Sequence, residues 1–98
     1  MANKSELVEF LDRRVFDPIL HASSEGRTEH ERNELEDVQR RTRTEQERYH
    51  HYPSAEKVIE MYKDDLGSEK ARPVNAKLRR LRLPTLPDVK EEFERLAT

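Results

Sequence analysis

Apolar residues recur at helical spacing in five stretches of the chain, and nowhere do they alternate as in a half-buried strand. Asn3 is placed to cap a first helix, with Glu6 three positions later completing a capping box. Leu7, Phe10, Leu11 and Val15 then form its broad inward face. Asp17 precedes Pro18, and a proline ring disfavours helical angles at the residue before it. The first helix is therefore expected to stop or kink at Asp17, with Ile19 and Leu20 adding a short turn. Ser23, Ser24 and Gly26 predict a loop, because hydroxyls compete for backbone partners and glycine is conformationally permissive.

From Thr28 to His51 the chain has neither proline nor glycine and is rich in Glu, Arg and Gln, which predicts one long helix of ~36 Å at 1.5 Å per residue. Glu36 with Arg40 and Asp37 with Arg41 stand in the favoured i, i+4 order, and Arg41 with Glu45 and Arg43 with Glu47 extend the ladder. Along this rod Leu35, Val38, Thr42, Glu45, Tyr49 and Tyr52 are spaced alternately by three and four, a heptad seam. Its ends are apolar and its middle, Thr42 and Glu45, is polar. A seam of this kind predicts contact with one neighbouring helix, either as a hairpin within the chain or as a dimer arm with a second copy.

Pro53 closes the rod, and Ser54 can cap a helix over 55–66 in which Ala55, Val58, Ile59, Tyr62 and Leu66 share one face, with Gly67 expected as its left-handed closing residue. Pro73 suits the first turn of a further helix carrying Val74, Leu78 and Leu81, which should end before Pro84. Leu83 to Pro87 should be extended, since Leu83 and Leu86 each precede a proline. Asp88 with Glu91 is expected to cap a last helix that turns Val89, Phe93 and Leu96 inward. The predicted fold is an all-α bundle of about five helices in a single domain spanning 1–98, with one long charged central helix over about 28–51.

Composition changes this picture in one respect. Charged residues are 41% of the chain and hydrophobic residues 33%, so little apolar surface is available to offset the entropy of ordering. A thin core in a monomer, supplemented by self-association, is the expectation, with a dimer favoured. With 19 basic and 21 acidic side chains there is no global field toward nucleic acid or an anionic membrane. No stretch reads as a secretory signal or membrane span, which predicts a cytoplasmic protein. The absence of cysteine excludes disulfides and thiol chemistry.

Candidate chemistry is sparse. His30 and Glu34 occupy two positions of the zinc-protease helix pattern, but Glu34 stands where a second histidine is needed. His50 and His51 are adjacent on a helix, where their side chains diverge by about 100°; they predict either a helix end or a pH- or metal-responsive joint. Two isolated glycines build no phosphate-binding loop, and Ser5, Ser23, Ser24, Ser54 and Ser68 all read as caps or turns. No catalytic residue, cofactor or metal site is expected, and the chain reads as no enzyme.

Lys77, Arg79, Arg80 and Arg82 form the one strongly basic run, with Leu78 and Leu81 turned inward beneath them. Outward cations of this kind serve phosphate contact or solvation alike. The expected function is accordingly a protein-interaction or regulatory module that self-associates through Leu35, Val38, Thr42, Glu45, Tyr49 and Tyr52. The alternative is a small nucleic-acid-binding protein using residues 77–82.

Overall fold

A computed structural model describes residues 2–98. Among these all regular secondary structure is helical, with no strand. Helix α1, Lys4–Leu11, begins with the expected capping box: Asn3 Oδ1 accepts from the Glu6 amide at 2.9 Å and Glu6 Oε1 from the Asn3 amide at 3.3 Å. Of the stop or kink expected at Asp17, a stop does not occur. The backbone instead widens into a π turn, Asp12–Phe16, and resumes as α2, Asp17–Leu20, with Asp17 at φ −64°, ψ −42°. A π turn pairs each carbonyl with the amide five residues on, so the turn before Pro18 does not depend on the amide hydrogen that proline lacks. The Asp17 amide accordingly donates to the Asp12 carbonyl.

After a loop in which Gly26 takes φ 77°, Thr28 caps α3, Glu29–His51. Thr28 Oγ1 accepts from the Glu31 amide and Glu31 Oε1 from the Thr28 amide, at 3.2 and 2.9 Å. The helix has 23 residues and ends where Tyr52 turns extended before Pro53, close to the expected span. Ser54 caps α4, Ala55–Gly67. Gly67 is its last helical residue and does not adopt the expected left-handed conformation; the helix is closed by an extended Ser68.

Helix α5, Ala71–Arg80, carries Pro73 in its first turn and ends through Arg82 at φ 64°. The Leu83 amide reaches back to the Leu78 carbonyl at 2.8 Å, the pattern of a helix closed by a left-handed residue. The expected extended connector covers less of 83–87 than its prolines suggest, because Leu86–Val89 wind into a 3-10 turn. Asp88 does not cap the last helix either. It accepts from the Thr85 amide at 2.9 Å and fixes that turn, leaving α6, Lys90–Ala97, to start after Val89.

Packing falls into two groups that share one core. Helix α1 lies on α4 and α6, whereas α3 lies on α2, the π turn and α5. Leu7, Leu11, Val15, Phe16, Ile19 and Val38 are almost wholly buried at the junction, with Tyr62 and Phe93 stacked 4.1 Å apart beneath α1. Arg14 forks onto the Glu92 carboxylate and lies 5.6 Å above the Phe10 ring, pinning α6 to the π turn. The radius of gyration, 13.6 Å, is close to the ~13 Å of a compact chain this long, so the polar composition does not prevent closure of a core by one copy.

Candidate binding cleft

The heptad seam finds its neighbour inside the chain. Leu35, Val38, Thr42 and Tyr49 are buried, and Glu45 and Tyr52 are partly covered. Tyr49 packs on Phe16 at 5.5 Å between ring centroids and meets Tyr52 edge-on at 5.2 Å. Of the two expected arrangements, a hairpin within the chain and a dimer arm, the contact within the chain is present: α2, the π turn and α5 pack on α3.

Two glutamines that the apolar pattern does not single out secure the contact. Gln39 Nε2 donates toward the carbonyls of Ile19, Leu20 and Ala22 at 3.1–3.3 Å, meeting the open end of α2. Gln46 Nε2 spans Asp12 Oδ1 and Asp17 Oδ1 at 2.9 and 3.0 Å. They lie seven residues apart, each one position past a seam residue, and that register is the signal by which the sequence marks them.

Where the seam is polar, packing opens. A cleft of about 420 Å³ lies between the middle of α3, the end of α4 and the face of α5 that carries Val74 and Leu78. Its apolar lining is Val15, Phe16, Ile19, Val74, Leu78 and Leu86. Its cations are Arg40, Arg41 and Arg48 of α3 and Lys70 before α5. Thr42 and Glu45, the two polar positions of the seam, both line it.

Glu45 on α3 and Asp65 on α4 approach one another in this cleft. Burial, a hydrogen bond to Asp65 and the charge of Asp65 push the Glu45 carboxyl up to about 8, against a smaller opposing pull from Arg48. Tyr49 donates its hydroxyl to Asp65 Oδ2 at 2.7 Å, and burial holds that phenol far above its ordinary value. Beside them the Tyr52 hydroxyl oxygen is buried without a hydrogen-bond partner. Asp65 was legible in one respect: it is spaced three and seven residues from Tyr62 and Val58, which makes it a carboxylate on the apolar stripe of α4.

The basic run serves α3. Lys77 Nζ lies 3.3 Å from Asp37 Oδ2 and Arg80 Nη2 lies 2.9 Å from Glu34 Oε2, while Asp37 also meets Arg40 and Arg41. These cations hold the Asp37 and Glu34 carboxyls below their ordinary range. Of the four proposed nucleic-acid contacts, Lys77 and Arg80 therefore have protein partners, and Arg79 and Arg82 are exposed.

The histidines separate. His50 Nε2 meets Asp12 Oδ2 at 2.7 Å, while His51 Nδ1 turns to its own helix at the Glu47 carbonyl, also 2.7 Å. His30 stands exposed, 3.6 Å from Glu34. Among the described residues no three His, Cys, Asp or Glu side chains are grouped to hold a metal ion, and no helix is long and apolar enough to cross a membrane. Neither a family model, nor a curated protein, nor a solved structure matches the chain.

Proposed function

We propose that this protein is a non-catalytic interaction module whose docking surface is the α3–α4–α5 cleft, and that its partner is an acidic amphipathic helix of another protein. The supporting observation is an apolar trough bordered by three arginines and a lysine. An amphipathic helix presents apolar anchors at i, i+3, i+4 and i+7, about two turns, and the stretch of α3 from Arg40 to Arg48 covers ~12 Å, a similar length. Four cations against two acids, Glu45 and Asp65, make the lining favour an anionic partner, and complementary charge speeds encounter and sets orientation. A second copy is a poorer occupant, because the apolar faces of the chain's own helices are turned into its core. The nucleic-acid alternative is weakened by the engagement of Lys77 and Arg80 with α3.

The test is titration of isotopically labelled protein with a synthetic helical peptide carrying leucines at the four anchor positions and glutamates elsewhere, against the same peptide with lysines. Amide shifts confined to the cleft lining and seen with the acidic peptide alone are expected. The double variant Arg41→Glu with Arg48→Glu should weaken binding by roughly tenfold or more. Equal response to both peptides, or shifts away from the cleft, would refute the assignment, and a concentration-dependent mass in sedimentation would favour a second copy.

A further inference from the structure

Six of the 19 basic side chains fall between residues 70 and 87, and none of the 21 acids does. A chain of net charge −2 therefore gathers positive charge on α5 and its flanks, leaving the remainder acidic in balance. Lys77 and Arg80 are matched to Asp37 and Glu34 on α3. Lys70, Arg72, Arg79 and Arg82 are exposed, and among the described residues none of them forms an ion pair. Arg82 only biases the Glu31 carboxyl, which is engaged in the cap of α3. Of the four, Lys70 alone lines the docking cleft.

Two of these placements work against the fold. Helix α5 starts with no acid and no side-chain cap, and carries Lys70 and Arg72 at the end where the helix dipole repels cations. At its other end Arg82 holds φ 64°, where glycine would be relaxed. A merely solvated helix would be better served by an acid at the first place and glycine at the second. Local choices that oppose the fold are the mark of positions kept for another purpose. Arg72 and Arg79 are seven residues apart, so they share one side of α5 and lie ~10.5 Å apart along its axis. Asn75, partly exposed, lies between them.

We infer that the outer side of α5 is a second interaction surface and that its partner is duplex DNA, held by phosphate contacts from Lys70, Arg72, Arg79 and Arg82. The cleft runs open along one flank of α5, which makes the helix a ridge. A helical ridge fits the B-form major groove, about 12 Å wide, and cations near both ends of the helix reach phosphates on its two walls. Asn75 between them is the type of side chain that pairs bidentately with an adenine edge. The major groove of A-form RNA is too deep and narrow for a helix. Single strands are held on exposed aromatic rings, whereas Phe10, Phe16, Phe93, Tyr49 and Tyr62 are all buried. A membrane-surface helix needs apolar side chains beside its cations, and Val74 and Leu78 of α5 line the cleft instead.

The experiment is fluorescence anisotropy of a labelled mixed-sequence duplex of about 20 base pairs, titrated with the full chain between about 50 and 200 mM salt. Four phosphate contacts give a slope of about −3.6 in log affinity against log salt, so binding should weaken roughly hundredfold across that range. Arg72→Ala with Arg79→Ala should reduce the slope by about two. Arg82→Gly should unfold at higher urea concentration than wild type and yet lose about one from the slope, a split that a purely structural Arg82 would not produce. Asn75→Ala should leave the slope unchanged and weaken binding to A·T-rich duplexes more than to G·C-rich ones. Arg13→Ala, which removes an exposed cation from the π turn, should leave the slope unchanged.

No binding at low salt, or binding insensitive to salt, would overturn the assignment. So would an equal loss in Arg13→Ala, which would make the attraction diffuse, or tighter binding to phosphatidylserine vesicles than to duplex. Indifference of Asn75→Ala to base composition would overturn the placement of α5 in the major groove. None of these outcomes depends on the cleft, because Arg72, Arg79 and Arg82 lie outside its lining.

Discussion

Replacing Glu45 by glutamine should stabilise the protein at pH 8 and change it much less at pH 5. In the folded chain the Glu45 carboxyl is raised from 4.5 to about 8. A raised carboxyl favours folding fully below the unfolded value, and that contribution is lost as pH climbs through the folded one, because the unfolded chain releases its proton first. At ~1.4 kcal/mol per pH unit the ceiling on this loss is about 5 kcal/mol between pH 4.5 and 8. Arg48 and the water that enters the cleft reduce it, and a gain of about 2 kcal/mol for Glu45→Gln at pH 8 is the expected outcome. For a domain this small that corresponds to roughly 10 °C in Tm.

Urea denaturation followed by circular dichroism, at intervals from pH 5 to 9, measures it. The lower limit matters because Glu31, Glu34, Asp37 and Glu92 are all held below their ordinary values by hydrogen bonds and cations. Their contributions carry the opposite sign, being present above the ordinary carboxylate range and lost as pH falls through their lowered values. Well above their ordinary values they are ionised in folded and unfolded chain alike and constant, and nearer those values they are common to the two proteins compared. The reasoning is refuted if Glu45→Gln is less stable than wild type at pH 8, or if the difference between the two proteins does not change with pH.

Two further substitutions test the fold that holds the cleft. Arg82 occupies the left-handed region at the end of α5, where a side chain is strained, so Arg82→Gly should raise stability by about 1 kcal/mol in urea unfolding; a loss would mean that its guanidinium makes contacts that outweigh the strain. Gln39 satisfies the open carbonyls of α2, so Gln39→Ala should cost about 1–3 kcal/mol with faster amide exchange confined to residues 19–23, whereas uniform exchange would show that α2 does not depend on it.

The positions of the helices were largely legible along the chain because their signals are local. Asn3 with Glu6, Thr28 before an unbroken helical stretch, and Ser54 after Pro53 each mark a boundary within a few residues of where it forms. The local rules failed where two of them competed. Pro18 predicts a break, but the apolar face of Val15, Phe16 and Ile19 has to remain continuous to cover α3, and the π turn satisfies both demands. Near the other end Asp88 matches the pattern of a helix cap, yet its carboxylate accepts from the Thr85 amide and the chain winds a 3-10 turn there. Gly67 is permissive enough to close α4 in a left-handed turn, but Ser68 closes it extended.

The seam shows the same division for the site. Its spacing announces that α3 requires a neighbour, and its polar middle announces a gap in the contact. Periodicity describes one helix at a time, however, and carries no information on whether the neighbour belongs to the same chain. That was decided by α2, the π turn and α5 folding back over Leu35, Val38 and Tyr49. Asp65 could be seen as a carboxylate on an apolar stripe, but its meeting with Glu45 depends on the distance between two helices that sequence spacing does not encode.

The amino-acid sequence by itself determined an all-α chain, its five main helical stretches, the long charged helix at its centre and the absence of any familiar catalytic pattern, because these follow from propensities and spacings within a few turns. The tertiary structure alone decided that the heptad seam is internal, that the basic run of α5 pairs with α3, and that two acids meet in a cationic cleft. Those outcomes depend on side chains from remote segments competing for the same surface, and that competition is resolved only when the whole core closes.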